Sequence, residues 1–264
     1  MISFVGAGPG AADLLTLRAV ERLRAADVVV WASSLVPAAV LDHCRPGAAV
    51  HDSARMSLDE VLAVFAASPA DAAVVRLHSG DPTLYSAIAE QVAWCRAAGR
   101  AFEVVPGVGS GSATAASAGR ELTVPGVAQS VVHTRLAART AASVPAGESV
   151  EALARTGATL CVYLSAARPE ALRDALLCPG SALRPDTPVV VGHRVSWPDE
   201  RLVEATVADL PAAIAGLGAT TGVMVLVGDA LAAVDPPVCS HVYSAGFTTS
   251  FRQGRDPAGG PPQP

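Results

Sequence analysis

The sequence predicts an α/β protein of two α/β domains, with a mostly parallel N-terminal sheet, a mixed C-terminal sheet and a cleft between them. Three observations carry this. Short β-branched runs alternate with helical patterns through the first half, which argues for a parallel sheet covered on both faces. The alternation restarts after a Gly/Ser/Ala-rich stretch at 107–119. Two later runs, 188–195 and 201–206, are separated only by Ser196-Trp197-Pro198-Asp199-Glu200, short enough for an antiparallel hairpin.

In chain order, Ile2–Gly6 reads as a strand, and 14–25 as a helix with Leu14, Leu17, Val20 (or Ala19) and Leu23 on one face. A strand at 27–31, a helix at 36–43 and a strand at 48–51 follow. The helix at 57–67 opens with Ser57 three residues before Glu60, the spacing of a capping box. A strand at 73–78, a helix at 84–98 stopped by Gly99, and a strand at 102–105 complete the first half. Beyond the restart, strands are expected at 128–133, 159–165, 188–195, 201–206 and 222–227, and helices at 149–155, 169–177 and 207–215. The expected division is 1–118, 119–245 and a largely disordered tail at 246–264, whose end is dense in Gly and Pro.

Composition excludes several functions. Hydrophobic residues make up 51% of the 264, yet the most apolar segments, at 26–35 and 221–227, fall far short of the ~20 residues a spanning helix needs. No membrane partner is expected. The N-terminus enters a strand at residue 2 with no basic region before it, so a cytoplasmic location is the default. The net charge of −5 gives no reason to expect nucleic acid. All 19 basic residues are arginine, which rules out a lysine Schiff base or a Walker lysine. The five cysteines never form a C-x-x-C pair and the histidines show no metal-ligand spacing, so no metal is expected.

Two loops carry the chemistry. Gly6-Ala7-Gly8-Pro9-Gly10 follows the first strand, and Ser79-Gly80-Asp81-Pro82 follows the strand at 73–78. Ligands of open α/β sheets bind at such turns, outside the carboxyl ends of strands. The first loop departs from the G-x-G-x-x-G dinucleotide pattern, Pro9 has no N–H to offer a pyrophosphate, and the second strand ends Trp31-Ala32 with no acid for a ribose. Nicotinamide-dinucleotide binding therefore ranks last. A purely structural role for these glycines, in permitting the turn, is the plainer alternative. Asp81 likewise reads either as a ligand-binding carboxylate or as a turn residue before Pro82 that caps the next helix.

Taken with Leu14-Leu15-Thr16-Leu17, Val105-Pro106-Gly107-Val108, 160–165, 196–200 and 220–228, these loops resemble those of the tetrapyrrole methylases over residues 2 to 252. Ala11 stands where that family usually has Asp. The resemblance implies two α/β domains, S-adenosylmethionine as methyl donor in the cleft, a tetrapyrrole acceptor and a homodimer. Carried over position by position, the donor contacts are Pro9, Ser79, Gly80, Asp81, Leu84, Gly109, Ser110, Leu164, Val195 and Thr221. Arg120, Arg135 and Arg139 are expected to hold the acceptor's carboxylates, since guanidinium pairs with carboxylate bidentately; Arg76 and Arg194 are further cations at strand ends. No general base stands out, and His78 reads equally as a packed strand-end histidine. Within the family, Ser33-Ser34-Leu35-Val36, 52–57, 76–81, 121–125 and Gly246-Phe247…Phe251-Arg252 resemble the branch that methylates C11 of precorrin-4 in cobalamin assembly. Alternatives are another corrin-pathway or uroporphyrinogen-III methylation, or a non-catalytic porphyrinoid- or nucleotide-binding protein.

Overall fold

The computed structural model describes residues 1–136, 144–232 and 240–255. Two five-stranded sheets organise it. The first contains β1 (Ile2–Gly6), β2 (Val28–Trp31), β3 (Ala49–Asp52), β4 (Val74–His78) and β5 (Phe102–Val105), in the order β3-β2-β4-β1-β5. All its pairings are parallel. Alternate residues of each strand face opposite layers, as strand geometry requires. Val5, Val29, Val75 and Leu77 pack with α1 (Leu17–Ala25), whereas Ile2, Phe4, Val30 and Val74 pack with α2 (Leu58–Ala67) and α3 (Ile88–Ala97). Phe4 meets Phe65 of α2 edge-on, with ring centroids 6.3 Å apart.

The second sheet contains β6 (Val131–Arg135), β7 (Thr159–Tyr163), β8 (Pro188–His193), β9 (Arg201–Thr206) and β10 (Val223–Val227), in the order β6-β7-β10-β8-β9. Only β6 and β7 run parallel; the expected β8–β9 hairpin forms, pairing His193 with Arg201. One face carries α5 (Val150–Ala154), α6 (Pro169–Leu176) and α7 (Leu210–Leu217), packed on Leu160, Val162, Val191 and Val225. The other face is covered by α4 (Ser110–Ser117), which lies against β8 and β10.

Several elements differ from expectation, each for a local reason. The helix expected at 14–25 divides: Ala12–Leu14 is a 3-10 turn, and Thr16 then caps α1 by accepting from the Ala19 N–H at 3.1 Å. That phase buries Ala19 and Leu23 as expected, but turns Leu17 outward, 85% exposed, and buries Leu15. After Pro37 the segment Ala38–His43 is 3-10, not α. The helix expected from residue 84 starts only at Ile88, because Tyr85 and Ala87 take left-handed backbone conformations (φ 55° and 49°) that no α-helix admits. The helix α4 was not expected at all. Its Gly, Ser and Ala residues are weak helix signals, but they let it approach closely: a Cβ at Gly111 would stand 3.2 Å from Cys161 Sγ.

Of the tail expected at 246–264, residues 246–255 are among the described residues. Residues 246–255 form a turn with a Thr249–Arg252 bridge, and the Arg252 guanidinium donates to the carbonyls of Val242, Ser244 and Phe247. Residues 256–264 lie outside the described residues. Among the described residues, no helix is long and apolar enough to cross a membrane.

The capping box forms as expected: Ser57 N–H donates to Glu60 Oε2 at 2.6 Å and Glu60 N–H to Ser57 Oγ at 3.3 Å. Ser57→Ala should therefore lower stability by about 1 kcal/mol. Urea titration measures this, and an unchanged midpoint would mean that the cap contributes no stability.

Candidate functional site

Three loops of the first sheet converge at its carboxyl end, at the β1/β4 boundary. Connections from β1 run one way to β2, those from β4 the other way to β5, so this boundary is a topological switch point. Gly8 and Gly80 exchange backbone hydrogen bonds across it, at 3.2 and 2.7 Å, and the Ala7 N–H donates to the His78 carbonyl at 2.8 Å. The loop after β5 joins by close backbone approach. A Cβ at Gly6 would lie 2.6 Å from the Gly107 nitrogen, and one at Gly107 would overlap the Gly80 carbonyl. Only glycine fits.

Asp81 ties the same loops together. Its Oδ2 accepts from the Gly107 N–H at 3.0 Å, and its Oδ1 accepts from the Thr83 N–H at 2.8 Å and from the Thr83 hydroxyl. Burial alone would raise its pKa; the donors from Thr83 and Gly107 outweigh that and hold the carboxyl below its ordinary range. The helix-capping alternative for Asp81 fails, since α3 begins seven residues further on and its N-cap, Ala87, has no side-chain cap.

The second sheet closes over this junction with the turn between β8 and β9. Trp197 Nε1 donates to the Pro9 carbonyl at 3.0 Å, and the Ala11 N–H donates to Ser196 Oγ at 2.9 Å. A Cβ at Gly10 would collide with the Trp197 indole. Arg194 stacks its guanidinium 4.0 Å from the centre of the Trp197 ring system and pairs with Asp199 at 3.0 Å. Backbone strain concentrates in the same place. Among the described residues, the non-glycine positive φ angles are those of Tyr85, Ala87, Leu164, Arg194 and Ser196, all in loops at this junction or just beyond strands β7 and β8. Such conformations persist only where the surroundings impose them. Leu164 combines a φ of 54° with 70% exposure, an apolar side chain displayed at the end of β7.

The ten expected donor residues fall on these loops. Pro9, Ser79, Gly80, Asp81 and Leu84 belong to the first-sheet turns. Gly109 and Ser110 begin α4, with Gly109 Cα and the Ser110 nitrogen 3.9 and 3.8 Å from the position of a Gly80 Cβ. Leu164, Val195 and Thr221 follow β7, follow β8 and precede β10; Gly222, next to Thr221, accepts from the Arg194 N–H at 2.8 Å. Two of the three acceptor arginines are described, and they lie on different elements. Arg120 is engaged bidentately by Glu204 of β9, both contacts at 3.1 Å. Arg135 ends β6, close enough to Tyr85 for its charge to be felt by that phenol. Arg139 lies outside the described residues.

One group was not foreseen. Tyr85, in the loop after β4, and Tyr163, at the end of β7, stand with ring centroids 5.0 Å apart, and Tyr163 Oη is 3.1 Å from His133 Nδ1. The Tyr85 hydroxyl donates to the His133 carbonyl at 3.3 Å. Burial and the neighbouring Cys161 push the Tyr163 phenol up to about 12, against the opposing donors Ser110 and Gly111. Burial lowers the His133 pKa, so its imidazole is neutral at neutral pH. Nothing in the local sequence marks these rings as a group. Among the described residues, no group of three or more His, Cys, Asp or Glu side chains is placed to hold a metal.

Comparison with known proteins gives a consistent result. The family described as Tetrapyrrole (Corrin/Porphyrin) Methylases matches residues 1–211. A precorrin-4 C(11)-methyltransferase of Rhodococcus erythropolis is 46% identical over 247 residues, 92% of this chain and 96% of that protein. A cobalt-precorrin-4 C(11)-methyltransferase of Priestia megaterium is 39% identical over 95% of this chain and 96% of that one. Among solved structures, a cobalt precorrin-4 methyltransferase superposes with a TM-score of 0.83 at 38% identity, covering 88% of this chain and 96% of the other. A Thermus thermophilus uroporphyrin-III C-methyltransferase complexed with S-adenosylhomocysteine has a TM-score of 0.70 at 28% identity, covering 87% and 98%.

The Asp81 network predicts a pH signature. A carboxyl held below its unfolded pKa contributes stability above that unfolded value and loses it as pH falls through the folded one. Wild type should therefore be more stable than Asp81→Asn at pH 6, with the gap closing below about pH 4. Denaturant titration at both pH values measures it; a gap that widens in acid contradicts the assignment.

Proposed function

The chain belongs to the tetrapyrrole (corrin/porphyrin) methylases, and from that premise we propose that it transfers a methyl group from S-adenosylmethionine to C11 of precorrin-4, giving precorrin-5 in cobalamin biosynthesis. The observation that carries this reading is the three-loop junction under the Trp197 turn, set in a chain that aligns nearly end to end with precorrin-4 C11-methylating relatives.

The junction suits the donor. S-adenosylmethionine carries no phosphate, and the loops after β1, β4 and β5 present backbone groups and small side chains instead of a cationic cradle. Three hydrogen bonds occupy the Asp81 carboxylate, which has about four lone-pair sites, leaving one direction for a donor hydroxyl or ammonium. Leu164, exposed and conformationally constrained, offers apolar surface for the adenosyl part, and Ser79, Leu84, Gly109, Ser110, Val195 and Thr221 complete the pocket. When bound, the sulfonium supplies an activated methyl with a neutral thioether as leaving group. The work left to the chain is alignment and exclusion of water. The Trp197 indole and the buried Pro9 close one side of the junction, while the tight Gly6–Gly80–Gly107 contact fixes the other.

The acceptor is a large polycarboxylate and the protein is net acidic, so local arginines supply the complementarity. Arg135 is the best placed, beside the Tyr85–Tyr163 pair; Arg139 follows it, and Arg120 would have to exchange Glu204 for a substrate carboxylate. The functional unit in this reading is a homodimer.

Incubated with S-adenosylmethionine and precorrin-4, the protein should release S-adenosylhomocysteine and add one methyl at C11, read by mass spectrometry and NMR; methylation of uroporphyrinogen III alone overturns the C11 assignment. Asp81→Ala should weaken donor binding by about 1–3 kcal/mol in calorimetry, and unchanged affinity would leave Asp81 a purely structural tie. Arg135→Gln should raise the acceptor's dissociation constant and spare the donor's, an effect that shrinks as salt rises; a parallel loss of donor binding would place Arg135 on the wrong side of the cleft.

A further inference from the structure

The carboxyl end of the first sheet holds a second feature, on the other side of β4 from the Gly8–Gly80 bridge. Arg76 and His78 stand on the same face of β4, two residues apart. Arg76 Nη1 donates to Ser53 Oγ at 2.7 Å and toward the Val30 carbonyl at 3.4 Å. The Ser53 hydroxyl proton is already given to the Trp31 carbonyl at 2.8 Å, so Ser53 acts on Arg76 only as an acceptor and fixes one end of the guanidinium.

The opposite, Nε–Nη2 edge of that guanidinium makes no hydrogen bond among the described residues, and Nε is buried. This edge is the planar fork that matches the two oxygens of a carboxylate. No acid among the described residues uses it. The nearby Asp52 is turned away, its Oδ1 accepting from the N–H groups of Ser33 and Ala54 at 3.1 and 2.9 Å, and no ion pair of Arg76 is found among the described residues. Beside it His78, only 7% exposed, has an Nε2 with no partner. Burial lowers Arg76 to about 10, and burial with the Arg76 charge lowers His78 to about 3, so at neutral pH the site holds one cation and one neutral imidazole.

A largely buried cation with its fork unoccupied is costly unless an anion completes it. The structure also gathers here side chains that the donor junction does not use: those of Ser33–Ser34 after β2, of Asp52–Ser57 at and beyond the end of β3, and of Arg76 and His78 on β4. We propose that Arg76, oriented by Ser53 and flanked by His78, is a carboxylate subsite that receives one acidic side chain of the acceptor ring. This rests on the methylase reading for the identity of the acceptor, but the subsite itself is defined by carboxylate chemistry.

The test uses uroporphyrin, whose rim carries carboxylate side chains, as a fluorescent probe with the full-length protein. Wild type should bind it, and Arg76→Met should raise its dissociation constant by about tenfold or more while leaving S-adenosylmethionine affinity unchanged. Arg76→Lys, which keeps the charge and loses the fork, should fall between the two. Should Arg76→Met fail to fold, Arg76→Lys and Ser53→Ala decide the question, each expected to weaken the probe several-fold. No binding by wild type, or wild-type affinity in the folded variants, overturns the proposal. Arg76-dependent probe binding without precorrin-4 turnover would retain the subsite and sink the C11 assignment; turnover with Arg76-independent binding would do the reverse.

Discussion

The site depends on how closely the backbones of three loops approach one another. Gly6 and Gly107 meet each other and the Gly80 carbonyl with no room for a side chain on either, and Asp81 then ties the loop after β4 to the loop after β5 through the Gly107 amide. A parallel sheet delivers the three loops to the same edge, because every strand ends on one side. The parallel pairing of β1 with β4 brings Gly6 opposite His78 and so places Gly8 against Gly80. Packing in the first sheet and geometry of the site are in this sense one constraint.

The second sheet adds what the first lacks. Its β8–β9 turn lays Trp197 over Gly10 and returns Ser196 to the Ala11 amide, so the glycine loop is held from both sides. At Ala11 the backbone donor is satisfied by the Ser196 hydroxyl from the β8–β9 turn. Left-handed Arg194 and Ser196 lie in the turn that makes this closure, conformations that persist only where the surroundings impose them.

Much of this was legible in the sequence, for physical reasons. Strands of a sheet covered on both faces are short β-branched runs, so β1, β4, β7 and β10 were visible; so was the Ser57–Glu60 box, because both members of a cap lie within one turn. What was missed has no local signature. The helix α4 is made of small residues suited to close approach and not of strong helix formers. The phase of α1 was set by a Thr16 cap that pushed Leu17 outward. Contacts such as Trp197–Pro9, Ser196–Ala11 and Arg120–Glu204 join residues far apart in the chain, and side chains like Tyr85 or Leu164 do not announce a left-handed backbone.

In this reading the donor site exists only where the second sheet clasps the glycine junction of the first. Calorimetric titration of Trp197→Ala with S-adenosylmethionine tests that dependence most directly. Affinity should fall on the order of tenfold or more, with circular dichroism showing both sheets intact. Wild-type affinity in the folded variant would contradict it, and would confine the donor site to the first-sheet loops alone.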